Sequence, residues 1–255
     1  MITTSEKEIA ILREGGRRLA RHVKELSEMV APGIPVKALE ARALEMVARD
    51  GDIPAFLHHK ERGDTKGYPS SLCVSVNDVI VHSPASESNY TIKDGDIVCL
   101  DFGIKHEGLY TDHATTVIAG KGAKEDYHLI AATQEALNAG IAEARLGNTT
   151  GHIGYAVEQI AKRCGYGYPK NLSGHGVGKA VHEKPNVPNF GKQGEGEKLV
   201  EGMVIAIEPM FCRGSGELYV DADGYSYRTK DGSRTAHCEH TVIITKEGPE
   251  VLTRL

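Results

Sequence analysis

Acidic residues inside β-rich segments are the first feature of this sequence that indicates chemistry. Asp101 and Asp112 lie in IVCLDFGIKHEGLYTDHATTVIAG, residues 97–120, which reads as two strands joined by a tight turn. With His106 and Glu107 at the centre of the turn, the two aspartates are expected directly opposite each other, with Cβ atoms roughly 5 Å apart. A buried carboxylate pair repels and loses hydration, so it requires a cation, for which a divalent metal is the strongest candidate.

The alternative for each acidic residue is a place in solvent or beside a lysine or arginine. Leu100 and Phe102 flank Asp101, however, which favours a strand in a core over a solvated rim. Glu208 in MVIAIEPM and Glu239 in TAHCEHTVIIT are likewise single carboxylates within apolar, β-branched runs. Four such residues are harder to explain as separate surface pairs than one is, so a shared role is favoured.

His175, in the segment GHGVG, completes a set of four carboxylates and one imidazole. Oxygen ligands with one imidazole suit a pair of divalent ions such as Mn²⁺, Co²⁺, Fe²⁺ or Zn²⁺. Two such ions can share bridging carboxylates and activate a hydroxide. The glycines around His175 allow close backbone approach, whereas a phosphate loop is not indicated, because no Gly-Lys-Ser/Thr follows. No Ser-His-Asp or Cys-His arrangement stands in a suitable context.

Composition restricts the class of protein. The 255 residues are 40% hydrophobic and 25% charged, with a formal net charge of −5, which is typical of a globular protein of one large or two small domains. No basic run indicates a nucleic-acid partner, and neither a membrane span nor a signal peptide is predicted, so a cytoplasmic location is expected. The five scattered cysteines, without a C-x-x-C spacing, are predicted to be free thiols.

Hydrophobic periodicity predicts four helices and several strands. The first helix begins at a capping box formed by Ser5 and Glu8, and the segment KERGDTKGYPSS is expected to be exposed and irregular. The predicted helices cover residues 9–30, 36–51, 124–145 and 150–164, and the predicted strands lie within 72–76, 79–82, 97–120, 203–211 and 235–245.

The order of elements repeats itself along the chain. A shift of 114 residues places Gly33 on Gly147 and Gly51 on Gly165, and a shift of 107 places Asp101 on Glu208. We therefore predict an internally duplicated α+β fold, one domain over residues 1–255, with pseudo-symmetric halves (roughly 1–120 and 121–255) around a central antiparallel sheet.

These residues, with the motifs LDFG, YTD, GHGVG…HEKPNVPNFG, IEPM and TKDGSRTAHCEHTVIIT, resemble a type I methionine aminopeptidase of the pita-bread fold. The resemblance covers nearly the whole chain, and the spacing of the five residues leaves no room for the long insertion typical of type II. It implies that Asp112 and Glu239 bridge two divalent ions (Co, Mn, Fe or Zn). By the same resemblance, Asp101 completes one ion site, and His175 and Glu208 complete the other.

The resemblance also implies the substrate-contacting residues. His82 and His182 match the family's substrate-contacting histidines and, with Glu208, are the expected catalytic residues. Tyr68 and Cys73 match positions that line its methionine pocket. The chain departs from the family in three ways. Ser-Pro-Ala follows His82, and Val181 and Tyr225 stand where Phe and Trp are common near the substrate. The hairpin LDFGIKHEGLYTDHATTV also resembles that of the related proline-specific peptidases. Tyr225 remains a predicted pocket residue, in a pocket that the smaller side chains widen.

The expected function is removal of the initiator methionine by a monomeric, cytoplasmic two-metal aminopeptidase. Its partners would be the N-terminal peptides of newly made proteins, with transient ribosome contact and neither nucleic acid nor membrane. The alternatives are an Xaa-Pro peptidase of the same fold, a non-catalytic relative that binds ribosomes or other proteins, and a structural metal-binding domain. Of the remaining histidines, His59 and His113 are interpreted as structural or surface residues, and His237 and His240 receive no role.

Overall fold

The protein is described here by a computed structural model, which covers residues 1–60 and 66–255. Four helices are formed: α1 (Glu6–Met29), α2 (Val36–Asp50), α3 (Lys124–Glu143) and α4 (Thr150–Cys164). The strands of the first half are β1 (Ile53–Pro54), β2 (Leu72–Val76), β3 (Val79–Val81), β4 (Ile97–His106) and β5 (Leu109–Ile118). Those of the second half are β6 (Ser173–Gly176), β7 (Glu183–Pro188), β8 (Val204–Ile207), β9 (Met210–Cys212), β10 (Leu218–Val220), β11 (Tyr227–Thr229), β12 (Thr235–His237), β13 (His240–Thr245) and β14 (Gly248–Val251).

The predicted helices are all present, and their ends show why. The Ser5 side chain accepts from the backbone N–H of Glu8, as a capping box requires. In a capping box the Glu8 side chain would also accept from the Ser5 N–H. Here the Glu8 carboxylate accepts from the Thr3 hydroxyl instead, and the Ser5 N–H donates to that same hydroxyl. In the segment KERGDTKGYPSS, residues 61–65 lie outside the described residues. Among the residues that are described, no helix is long and apolar enough to cross a bilayer.

The internal repeat is visible in the helices. Helix α4 begins and ends 114 residues after α2 (36 to 150, 50 to 164), and each ends at a left-handed glycine with φ of 73°. Gly33 and Gly147, also 114 apart, precede these helices with φ of 92° and 91°. The sequence shift of 114 therefore corresponds to repeated backbone geometry. The extent of the two halves, 1–120 and 121–255, stays a prediction.

The strands form four hydrogen-bonded groups rather than one continuous sheet. One contains β1, β4, β2 and β5, another is the five-stranded order β14-β13-β8-β6-β7, and the smaller ones are β10-β11-β3 and β12-β9. Helices α1 and α2 pack on the first group through Leu19, Leu39 and Leu100. Helices α3 and α4 cover the second half, for example through Leu137 and Ile153. One apolar cluster therefore lies beneath α1 and α2, and others lie beneath α3 and α4.

The register of the β4–β5 hairpin differs from the prediction. Its last pair is His106 with Leu109, so Glu107 and Gly108 form the turn, with φ of 44° and 92°. Positive φ at both central residues is the type I′ geometry, which favours glycine in the second position and thus shifts the turn by one residue. Asp101 is consequently opposite Ala114. The predicted direct pairing of Asp101 with Asp112 was wrong.

Candidate metal centre

Asp101 and Asp112 nevertheless lie on one face of the hairpin. Asp112 is opposite Gly103, two residues along β4 from Asp101, and residues two apart on a strand point to the same side. Both side chains are buried. Because the turn shifted the register by two, the aspartates became diagonal neighbours without changing face. The hydroxyl of Thr241 holds Asp112 at its backbone, accepting from the N–H at 2.9 Å and donating to the carbonyl at 2.8 Å.

Glu208 and Glu239 both lie where a strand is interrupted. The predicted strand at 203–211 is divided into β8 and β9, and the one at 235–245 into β12 and β13. Pro209, which has no N–H to donate, follows Glu208. At Glu208 the chain passes from β8 of the five-stranded group to β9 of the two-stranded group, and at Glu239 it returns from β12 to β13. The Glu239 N–H donates to the carbonyl of Ala114 at 2.9 Å, which joins the second interruption to β5.

His175 lies in β6 and brings an imidazole to the carboxylates. Its Nε2 is 3.5 Å from Glu208 Oε1 and 3.9 Å from Asp112 Oδ2. Its Nδ1 is 2.9 Å from the carbonyl oxygen of Gly176, which can only accept, so Nδ1 carries the proton and donates. The lone pair on Nε2 then faces the carboxylates, as in a metal-binding histidine.

The glycines beside His175 allow this approach. A Cβ on Gly174 would lie 2.4 Å from the carbonyl oxygen of Ala206, and one on Gly176 would lie 2.2 Å from that of Lys184. Neither distance is sterically possible, so β6 fits between its neighbours only with glycine at both positions. The close backbone approach predicted from the GHGVG segment is thus observed.

The electrostatics of the cluster favour a bound cation. Burial raises the pKa of Asp112 to about 8, with a further contribution from the charge of Glu208. Burial also raises the pKa of Glu208 to about 8, although the nearby charge of His182 acts in the opposite direction. The pKa values of Asp101 and Glu239 are raised well above their ordinary range, first by burial and then by the neighbouring carboxylates. Four carboxylates held this way ionise together only when a positive charge compensates them.

A divalent metal ion fits the donor set. Asp112, His175 and Glu239 each offer a ligand atom, and the three atoms lie within 4.8 Å of one another. Glu239 Oε1 is buried and finds no hydrogen-bond partner among the described residues. An unpartnered buried carboxylate oxygen is costly in a folded protein, and coordination of a cation removes that cost. Carboxylate oxygens with one imidazole are donors that divalent metals accept.

The cluster forms one wall of a cavity of about 550 Å³. All of the site residues predicted from the sequence border this cavity: Asp101, Asp112, His175, Glu208, Glu239, His82, His182, Tyr68, Cys73 and Tyr225. These residues come from both halves of the chain, so the fold brings together groups as distant in sequence as Tyr68 and Glu239.

Comparison with known proteins places the chain in a family. The model of metallopeptidase family M24 matches residues 10–246. The chain belongs to this family. It is 43% identical to the methionine aminopeptidase of Aquifex aeolicus (strain VF5) over 98% of each chain. Methionine aminopeptidase 1 of Bacillus subtilis (strain 168) is 36% identical over the whole of both chains.

Solved structures agree with this assignment. The methionine aminopeptidase of Thermotoga maritima superposes with a TM-score of 0.93 at 35% identity, covering 100% of each chain. The prolidase of Pyrococcus furiosus shares only the fold, with a TM-score of 0.75 at 22% identity over 66% of its length. The predicted α+β pita-bread fold is confirmed, and the family implies that this M24 chain uses divalent metal.

Within this M24 fold, aromatic residues and a thiol form the apolar side of the cavity. The Tyr68 hydroxyl is 3.0 Å from Cys73 Sγ, and the rings of Tyr68 and Tyr225 meet edge to face with centroids 5.6 Å apart. The Tyr225 hydroxyl donates to the carbonyl of Gly67 at 3.3 Å. Val181 is buried behind this wall, in a cluster that includes Phe56 and Cys73. Burial raises the pKa of Cys73 well above its ordinary value, so this thiol is a wall residue rather than a nucleophile.

The two substrate histidines predicted for this M24 chain stand at the cavity with exposed rings. The His182 ring meets the His175 ring edge to face at a centroid distance of 4.4 Å. The His82 ring meets Tyr227 in the same way at 5.4 Å. His82 has a φ of 61°, and non-glycine residues in this left-handed region often occur at functional sites.

Sequence reasoning missed two residues of the M24 site. His59, interpreted from the sequence as a structural or surface residue, borders the cavity, with its ring 5.5 Å from that of His182. The loop that carries His59 has no hydrophobic periodicity from which the direction of the side chain could be predicted. His237, to which no role was assigned, is buried with Nε2 3.4 Å from Glu208 Oε2. His237 stands two residues before Glu239, and this spacing was the available signal. His113, interpreted from the sequence as a structural or surface residue, packs behind the site, and its Nδ1 lies 2.5 Å from the Glu239 carbonyl oxygen.

Proposed function

We propose that this protein removes the initiator methionine from newly made chains by hydrolysis at a centre of two divalent ions. The observation that carries the proposal is the shared cavity, in which four buried carboxylates and His175 face an aromatic wall containing Cys73. The full-length similarity to methionine aminopeptidases supports the same reaction.

The ligand roles follow from the sequence resemblance and agree with the arrangement of the side chains. Asp112 and Glu239 would bridge the ions, and their ligand atoms lie within 4.8 Å of each other and of His175. Asp101, on the same face of β4 and β5, would complete one site. Glu208, 3.5 Å from His175 Nε2, would complete the other with that histidine. Mn²⁺, Co²⁺, Fe²⁺ and Zn²⁺ all accept such ligands.

The residues of this chain divide the remaining chemistry among them. When bound, such ions lower the pKa of water so that hydroxide is available near neutral pH. The Glu208 carboxylate accepts the proton from the attacking water and returns it to the leaving amine. His182, exposed in the cavity, donates a hydrogen bond to the oxyanion that develops on the scissile carbonyl. His82, which also lines the cavity, contacts the substrate.

The pocket wall sets the preference for the first residue. A thioether side chain is apolar and polarizable, and it packs well against aromatic rings and sulfur. Tyr68, Cys73 and Tyr225 present these groups beside the carboxylates. The natural substrates would be N-terminal peptides of newly made proteins, met in the cytoplasm by a monomeric enzyme in transient contact with the ribosome.

The test is a matched set of peptides given to the protein reconstituted with Mn²⁺ or Co²⁺. We expect rapid release of methionine from Met-Ala-Ser, little from Met-Trp-Ser and weak cleavage of Leu-Ala-Ser. The smaller residues at Val181 and Tyr225 reduce the preference for Met over Leu toward about tenfold, the value of roughly one kcal/mol of packing. Faster cleavage of Ala-Pro-Ser than of Met-Ala-Ser would replace this proposal with the proline-specific reaction.

A further inference from the structure

His182 is carried by an irregular loop whose position needs an explanation. The loop joins β6 to β7, and Gly176 and Glu183 form the pair that closes it. It begins just after the predicted metal ligand His175 and ends at His182, so both ends lie at the cavity. Residues 177–182 form no strand or helix. Their backbone donors must therefore find other partners, because an irregular segment has no ladder of its own.

The Val177 and Gly178 N–H groups donate to the backbone carbonyls of Val204 and Ala180, and the side chain of Glu183 provides the partner for two further donors. Its Oε1 accepts from the backbone N–H of Lys179 at 2.6 Å and from that of Ala180 at 2.8 Å. Its Oε2 lies 3.1 Å from the α-amino group of Met1, which also donates to the carbonyl of Val177 at 2.8 Å. One carboxylate thus joins the middle of the loop to the strand that follows it and to the first residue of the chain.

The first residue is itself packed into the loop. Met1 is buried, and a Cβ on Gly178 would lie 2.2 Å from its sulfur. Burial alone would raise the pKa of Glu183, but the Ala180 N–H and the α-amino group lower it overall, so the carboxylate is ionised. Bonds from N–H donors to an ionised carboxylate are stronger than those between neutral groups.

We propose that Glu183 is a positioning residue, which holds the loop of residues 177–182 so that the His182 ring faces the reacting carbonyl. The inference rests on the proposed function, since it takes His182 as the oxyanion donor. Glu183 itself would touch neither substrate nor metal ion. Its contribution is geometric, and a displacement of about 1 Å in a catalytic group costs about 10²-fold in rate.

The experiment compares Glu183→Ala, His182→Ala and the double variant on Met-Ala-Ser in the Mn²⁺-reconstituted protein. We expect Glu183→Ala to lower kcat by about ten- to 10²-fold, with a smaller change in KM and an unchanged metal content. The double variant should be no slower than His182→Ala, because Glu183 acts through that ring. Glu183→Gln should recover most of the rate, since its amide oxygen can still accept from Lys179 and Ala180.

Hydrogen exchange of the backbone amides at 177–183 gives a measurement that does not depend on activity. Glu183→Ala should exchange faster there, whereas Glu217→Ala, which removes an exposed partner of Lys230, should not. If Glu183→Ala does not fold, Glu183→Asp keeps the charge but withdraws it by one methylene and should show the same faster exchange. A wild-type protein that does not cleave Met-Ala-Ser would contradict the proposed function. The exchange rates would still show whether Glu183 holds the loop of residues 177–182. The inference would be overturned if Glu183→Ala left the amide exchange rates at 177–183 unchanged. It would also be overturned if the kcat losses of the two single variants multiplied in the double variant.

Discussion

Asp101 and Asp112 are diagonal neighbours on one face of the β4–β5 hairpin, and each is opposite a small residue, Ala114 and Gly103 respectively. Because Ala114 and Gly103 are small, they leave space beside the two carboxylates on this face of the hairpin. A Cβ on Gly103 would lie 2.9 Å from an atom of the Phe56 ring, so the glycine also admits part of the cavity wall. The hairpin thereby supplies both ligand groups and room for the pocket beside them.

Replacing Asp112 with asparagine should abolish metal binding and activity together. Asparagine keeps the shape but removes a charge from the cluster, and one neutral oxygen is a poor bridging ligand. The metal-free variant should melt at a higher temperature than metal-free wild type at pH 8.5, because a buried repulsion is gone. Metal analysis and thermal melts in chelator check both effects, with the exposed Glu217→Gln as control. Two tightly bound ions in Asp112→Asn would contradict the proposed bridging role.

Metal binding should release protons at pH 7. In the metal-free protein the pKa values of Asp112 and Glu208 are raised to about 8, so both groups are mostly protonated at pH 7 and must lose their protons to bind metal. Metal affinity should rise as the pH increases toward and beyond 8. The contribution of these two groups to the stability of the metal-free protein should fall as the pH rises from about 4 and level off above about 8, because a raised carboxyl pKa favours folding fully only below the unfolded-state pKa and the benefit is lost as the pH rises through the folded-state pKa.

Calorimetric titration of Mn²⁺ in buffers of different ionisation enthalpy measures this release. A heat that depends on the buffer reports the number of protons displaced. The same titration at pH 9.5 should show a smaller dependence on the buffer, since Asp112 and Glu208 are then ionised before the metal binds. A heat independent of the buffer at pH 7 would show that the carboxylates are already ionised in the metal-free protein.

The His182→Ala variant should lose kcat more than it raises KM. An oxyanion donor strengthens its bond in the transition state, and loss of one such donor costs about 10²-fold or more in kcat. His82→Ala should also slow turnover. Steady-state kinetics on Met-Ala-Ser with confirmed metal content is the measurement, and Cys73→Ser, a wall substitution, should be milder. An unchanged kcat with both ions bound would mean that His182 is only structural.

Glu40 should stabilise the pocket wall from behind. Its buried carboxylate accepts from the Ser70 hydroxyl at 2.8 Å and from the backbone N–H groups of Ser71 and Leu72 at 2.8 and 3.0 Å. Glu40→Ala leaves two backbone donors unpaired just before Cys73, and we expect a loss of about 3 kcal/mol in unfolding free energy.

The KM for Met-Ala-Ser should rise in the same variant, because Tyr68 precedes this segment and loses its support. Denaturant unfolding and steady-state kinetics measure the two effects. Glu45→Ala is the matched control, since it removes an exposed carboxylate of the same helix that pairs with Arg42. Equal losses of unfolding free energy in Glu40→Ala and Glu45→Ala would show that the buried hydrogen bonds of Glu40 stabilise the protein no more than the exposed ion pair of Glu45.

Local signals in the sequence are sufficient to predict the four helices, the strand-rich segments and the four carboxylates of the cluster. Helices depend on contacts three and four residues apart, so their periodicity and their capping residues are visible along the chain. A lone carboxylate in an apolar strand is also a local signal, because its burial has to be compensated. For this reason Asp101, Asp112, Glu208 and Glu239 can be selected from the amino-acid sequence alone.

Long-range packing, in contrast, sets the register of β4 and β5, the interruptions at Glu208 and Glu239, and the approach of His59 and His237. The register depends on the φ values of one turn, and the interruptions depend on a change of partner strands. His237 meets Glu208 and His59 meets His182 across separations of 29 and 123 residues along the chain. Contacts of that range are set by packing of whole elements, so a local pattern such as the spacing of His237 and Glu239 suggests a candidate residue but not its partner.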